Sequence, residues 1–138
     1  MKRGWVLGGA IVLLGGMIAA AAQERVVQRS IKGPAGKDVR VGAYINVLPD
    51  CSSGPLPTIR LVKPPAHGQV TVKKAKVNAT NYKQCLALEV PGYIAFYRSA
   101  PDFIGDDPFT LEVRFPAGRT ELEEITISVQ SLVPGQRT

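Results

Sequence analysis

Apolar side chains recur at every second position along most of this chain, in short runs broken by proline and glycine. Between Asp38 and Leu48, Val39, Val41, Ala43, Ile45 and Val47 fall on one side, and Arg40, Gly42, Tyr44 and Asn46 on the other. That is the period of a half-buried strand. The signal returns in Thr58–Val62, where Ile59 and Leu61 oppose Arg60, and in Gln69–Lys73, where Val70 and Val72 share a face. It returns again in Cys85–Val90, Tyr93–Arg98, Phe109–Phe115 and Leu122–Val129. Pro64-Pro65, Gly68 and Pro116-Ala117-Gly118 punctuate the runs, Pro91-Gly92 reads as a tight turn, and polar Asn78–Lys83 reads as a loop. Val26–Ile31 adds an N-terminal edge strand. About seven short strands with no helical period predict an all-β antiparallel sandwich, the longer connections crossing between sheets.

The first 22 residues have the layout of a secretory signal. Lys2 and Arg3 precede an apolar run, Trp5–Ile18, and Ala20-Ala21-Ala22 provides a small-residue cleavage site before Gln23. Trp5–Ala22 is also long enough to serve as an uncleaved anchor, but its Gly- and Ala-rich composition favours cleavage. After cleavage no second apolar segment offers an integral membrane span. The expected divisions are a signal peptide at 1–22, an N-terminal segment with its edge strand at 23–37, one sandwich domain at 38–131 and a flexible tail at 132–138. Cys51 and Cys85 are the only cysteines of the 138 residues. An even pair in an exported chain is most simply a disulfide, which places the protein in the periplasm or outside the cell.

Two segments carry a family likeness. The first is Val62-Lys63-Pro64-Pro65-Ala66-His67-Gly68-Gln69-Val70. The second is Phe96–Thr110, in which a strand ends at Pro101, a loop turns through Gly105, Asp106 and Asp107, and a new strand opens on Phe109. In this order and spacing they resemble bacterial cadherin-like and immunoglobulin-like (Ig-like) repeats. The resemblance spans about Val39 to Val129 and implies an Ig-like sandwich present as a single exported domain. Tandem members of that family often bind Ca²⁺ between consecutive domains, which makes Asp102, Asp106 and Asp107 the candidate metal ligands. Pro108 stands beside the aspartates where such repeats carry a small polar residue. Physics accounts for the same pattern: Gly68 and Gly105 suit turns with positive φ, and Asp106 or Asp107 can cap a turn by accepting backbone N–H bonds.

Nothing in the chain assembles a catalytic constellation. His67 is the single histidine and sits in a Pro-Ala-His-Gly turn with no nucleophile or second ligand signposted, so its expected role is structural. Glu123 and Glu124 occupy adjacent, opposite-facing strand positions, which is wrong for a shared acid–base site. No cofactor is expected. The formal net charge of +6 is unevenly placed. Every charged residue between Cys51 and Leu88 is basic (Arg60, Lys63, Lys73, Lys74, Lys76, Lys83), whereas acids dominate from Asp102 to Glu124. Lys73, Lys74, Lys76 and Lys83 are therefore candidates for meeting an anionic envelope surface such as lipid headgroups or polysaccharide. Without interleaved aromatics, and in an exported protein, nucleic acid is not an expected partner. The resulting expectation is a non-enzymatic binding or structural module for an envelope or extracellular protein, with the anionic surface and a Ca²⁺-binding adhesin-like role as alternatives.

Overall fold

The computed structural model describes residues 24–79, 85 and 88–131, together with Gly4, Gly8, Gly9, Ile11, Gly15 and Gly16. The signal segment 1–22 (apart from those isolated positions), Lys83 and the tail 132–138 lie outside the described residues. Seven strands form two sheets: β1 (Glu24–Pro34), β2 (Val39–Tyr44), β3 (Thr58–Lys63), β4 (Gly68–Ala79), β5 (Leu88–Ser99), β6 (Gly105–Arg114) and β7 (Thr120–Gln130). One sheet has the order β1-β7-β6-β3 and the other β2-β5-β4. The second, fifth and fourth strands therefore face the third, sixth and seventh as in immunoglobulin sandwiches, but β1 joins the sheet of β7, β6 and β3, unlike the first strand of a constant-type domain.

The inner faces close on each other as the alternation requires. Ala95 and Tyr97 of β5 meet Phe109, Leu111 and Val113 of β6 and Ile125, Ile127 and Val129 of β7, all buried. Each Val, Leu, Ile or Phe side chain so withdrawn from water contributes about 1.5–3 kcal/mol. Tyr97 and Phe109 stack across the two sheets with centroids 5.9 Å apart.

The pattern is departed from in several places, each with a local cause. β1 is longer than Val26–Ile31 and pairs with β7 in parallel, from Glu24↔Thr120 to Pro34↔Gln130, so the sandwich is not wholly antiparallel. No hairpin joins these two strands; β1 leaves through a turn with Gly36 at φ 70° and crosses to the other sheet. In β2 a register shift between Arg40 and Gly42 breaks the alternation. The bulge turns Ala43 out to solvent and Tyr44 into the core.

Pro91-Gly92 is not a turn. β5 runs straight through it, with Lys76↔Pro91 and Ala75↔Gly92 in register. The pairing of β2 with β5 stops at Tyr93, so Pro91 stands where one side of its strand is an edge, and a residue without an N–H is tolerated there. Pro108 repeats the arrangement within β6, beyond the last β3 pairing at Thr110. Gly92 serves a close approach, since a Cβ there would come within 2.8 Å of the Tyr44 carbonyl oxygen.

β4 likewise continues past Lys73 to Ala79, so Asn78 belongs to a strand rather than to a loop. Val77, Ala79, Val90 and Cys85 are buried apart from the main core. The Cys51–Cys85 disulfide, with Cα atoms 5.6 Å apart, ties the β2–β3 connection to this end. That connection is itself a small hairpin, with a Val47↔Ser53 bridge and Gly54 N–H donating to the Asn46 carbonyl.

Candidate interaction surface

The aspartates that suggested a metal are separated by strand geometry. β6 begins at Gly105 (φ 134°), so Asp106 and Asp107 lie within a strand and point to opposite faces. Asp102 and Asp106 are exposed, whereas Asp107 is fully buried. Asp107 accepts hydrogen bonds from the Ala66 N–H at 2.9 Å, the His67 N–H at 3.1 Å and the Tyr97 hydroxyl at 2.6 Å. Burial, then the adjacent carboxylate, pushes the Tyr97 hydroxyl pKa well above its usual value. Among the described residues no three metal-ligating side chains converge. Asp107 does accept backbone N–H bonds, as expected of a turn cap, but across the sandwich from the segment before β4. It bolts one sheet to the other.

His67 belongs to the same closure. Its ring stacks on Phe103 at 4.0 Å and its carbonyl accepts from Ala100 N–H. Gly68 lacks the positive φ expected of it. A side chain there would press within 2.6 Å of the Arg98 carbonyl and the Tyr97 ring, so close approach is what requires glycine. At the other flank Arg29 of β1 reaches inward to Glu123 at 2.5 Å and donates to the Val41 carbonyl at 2.7 Å. This pair joins β1 and β7 to β2. Burial chiefly, with Glu123 second, pushes the neighbouring Tyr44 hydroxyl pKa upward. Glu123 and Glu124 face opposite ways, as their adjacency implies.

The basic residues are divided by the same alternation. Lys73, Lys74 and Lys76 are all exposed on β4, but Lys73 shares a face with Ala75 and Val77, and Lys74 shares the other with Val72 and Lys76. The Lys73 ammonium lies 5.7 Å from the centre of the Phe96 ring. Lys76 pairs with Glu89 at 3.5 Å, both well exposed. Arg60 of β3 pairs with Glu112, its partner in register on β6. Part of the charge segregation is thus basic and acidic strands meeting inside one sheet.

β3 and β4 end their respective sheets and flank one side of the sandwich. Between them lies a slot lined by Leu56, Pro57, Thr58, Ile59, Val72 and Tyr93. Val72 of the lining is 39% exposed, and on β3 Leu61 (39%) and Val62 (46%) also leave apolar surface exposed. Along all twelve residues of β4 the outer edge has no strand neighbour among the described residues. The length of this edge is hidden in the sequence, because Lys73-Lys74-Ala75-Lys76 interrupts the apolar alternation. Its signal lies further on, in Val77 and Ala79, paired in register with Val90 and Leu88.

No family model and no curated protein matches the chain. Among solved structures, the solution structure of Amebosin aligns with 77% of this chain and 98% of its own length at 11% identity, with a TM-score of 0.44. A likeness of that degree carries no argument about fold or function. Among the described residues no helix is long and apolar enough to cross a membrane.

Proposed function

We propose that this chain is an exported, non-enzymatic Ig-like module that recognises an envelope or extracellular protein through its β3–β4 side. The observation that carries this reading is the open twelve-residue edge of β4 beside an apolar slot. Open edges invite pairing with another chain and are normally short, bulged or covered. β4 is long and unbulged, pairing with β5 without a register shift throughout, and no strand covers its outer edge among the described residues. Its lysines oppose pairing with a second copy while leaving the backbone available to a different partner. The disulfide suits an oxidising compartment, in keeping with the signal-like first 22 residues. The two-sheet division of seven strands suits an Ig-like sandwich.

A second reading is attachment to an anionic envelope surface. It draws on the outer face of the three-stranded sheet, where Lys73 lies over Phe96 and Arg40 stands opposite Phe96 in register. The two readings use different faces and can be separated. With a photo-crosslinking residue at Thr71 on the β4 edge, the full-length chain in its native host is expected to yield a protein adduct. The same residue at Ser30 on β1 is expected to yield none. Adducts only to lipid or polysaccharide favour the second reading, and the absence of any adduct at either position overturns the first.

A further inference from the structure

We infer, building on the proposed protein-binding role of the β3–β4 side, that the occupant is an extended acidic segment of a different protein, added to β4 as an antiparallel strand. The face of β4 turned toward the slot carries Val70, Val72, Lys74 and Lys76 in that order. Two apolar positions are followed by two cationic ones, all at the spacing of one strand face. A strand paired antiparallel to β4 meets Lys76 first and Val70 last. Its matching face therefore reads acid, acid, apolar, apolar at alternate residues: acid-x-acid-x-apolar-x-apolar. The carboxylates would lie opposite Lys76 and Lys74, where opposite charges across a ladder attract. The apolar pair would lie beside Val72 and Val70, on the side of the slot lined by Ile59 of β3. The backbone supplies affinity and the alternating side chains supply choice, which is how strand addition works in general.

Charge removes the competing occupants. Pairing β4 with β4 of a second copy offers no carboxylate to Lys74 or Lys76 in any register, because β4 contains no acidic residue. The chain's own terminal segments, 1–22 and 132–138, contain no acidic residue to place opposite Lys74 and Lys76. Lys76 is not committed elsewhere, because its contact with Glu89 is long and both side chains are more than half exposed.

The test titrates the oxidised exported chain with a capped synthetic peptide, Glu-Thr-Glu-Thr-Val-Thr-Val, and reads amide exchange and chemical shifts by NMR. Saturable binding is expected, with slowed exchange along β4 and none along β1. Replacing both peptide glutamates by lysine, or changing Lys74 and Lys76 of the protein to Glu, is expected to weaken binding by at least roughly tenfold. Methylating alternate backbone nitrogens of the peptide should abolish it, because side chains survive that change and the ladder does not. Equal binding of the acidic and basic peptides, protection at another edge, or no binding overturns the inference. The Thr71 adduct separates this failure from failure of the functional reading. A crosslinked protein segment without the acidic alternation, or a second copy of this chain, overturns the inference alone, whereas the absence of any protein adduct overturns both.

Discussion

Replacing Asp107 with alanine is expected to lower the unfolding free energy by about 3–4 kcal/mol. In a domain of this size that corresponds to a fall in melting temperature of roughly 15 °C. The carboxylate is fully buried and faces only donors: the Ala66 and His67 N–H groups and the Tyr97 hydroxyl. Removing it strands the buried hydroxyl at full cost, while water recovers part of the loss at the more exposed Ala66–His67 turn. Asp107→Asn should fall between alanine and the parent, since the amide keeps one acceptor oxygen but turns an NH₂ toward other donors. Tyr97→Phe should cost only about 1 kcal/mol, because Asp107 then retains two backbone donors. Denaturant unfolding of the three variants checks the ranking. Equal losses from Asp107→Ala and Tyr97→Phe would show that the backbone bonds contribute nothing.

Loss of the disulfide is the second large effect. The cross-link closes a sequence separation of 34 residues, which in the chain-entropy model stabilises the fold by about 4 kcal/mol. Cys51 sits at φ 69°, in the left-handed region, which costs a residue with a side chain about 1–2 kcal/mol. Alanine keeps the Cβ and therefore the same penalty at position 51, so the expected cost of Cys51→Ala with Cys85→Ala stays near the loop-closure value, about 4 kcal/mol. The damage should be local first. The β2–β3 hairpin, held by Leu48, Cys51 and Ser52 backbone bonds, is fastened to the far end of β4 and β5 by this link. Limited proteolysis of the reduced protein should therefore cut within residues 47–57 before any other described segment. Cleavage beginning instead in the β1–β7 pair would contradict that order.

How much of this was legible beforehand depended on whether a residue's role was local. β6 and β7 stand in the alternation of Phe109, Leu111 and Val113 and of Ile125, Ile127 and Val129, because one face of each meets one core. The pairing of Cys51 with Cys85 followed from their number. Pro91-Gly92 misled for a physical reason. A turn and a close approach call for the same residue type, and only the neighbouring chain at Tyr44 distinguishes them. Asp107 misled in the same way. Three acids near a glycine suggest a cation, and the strand that sends Asp106 and Asp107 to opposite faces is set by pairing with β7, far off in sequence. The lysines were found as a cluster, but their division between two faces required knowing that β4 continues through them.

That division supplies the most direct test of the account. Lys74 and Lys76 share the face turned to the slot, while Lys73 lies on the other, over Phe96. In the native host, Lys74→Glu with Lys76→Glu is expected to cut the yield of the Thr71 protein adduct by at least about tenfold, leaving the melting temperature unchanged. Lys73→Glu is expected to change that yield by less than about twofold. An undiminished adduct in the double variant, or a loss from Lys73→Glu as large as from the other two together, would contradict recognition through the β3–β4 side.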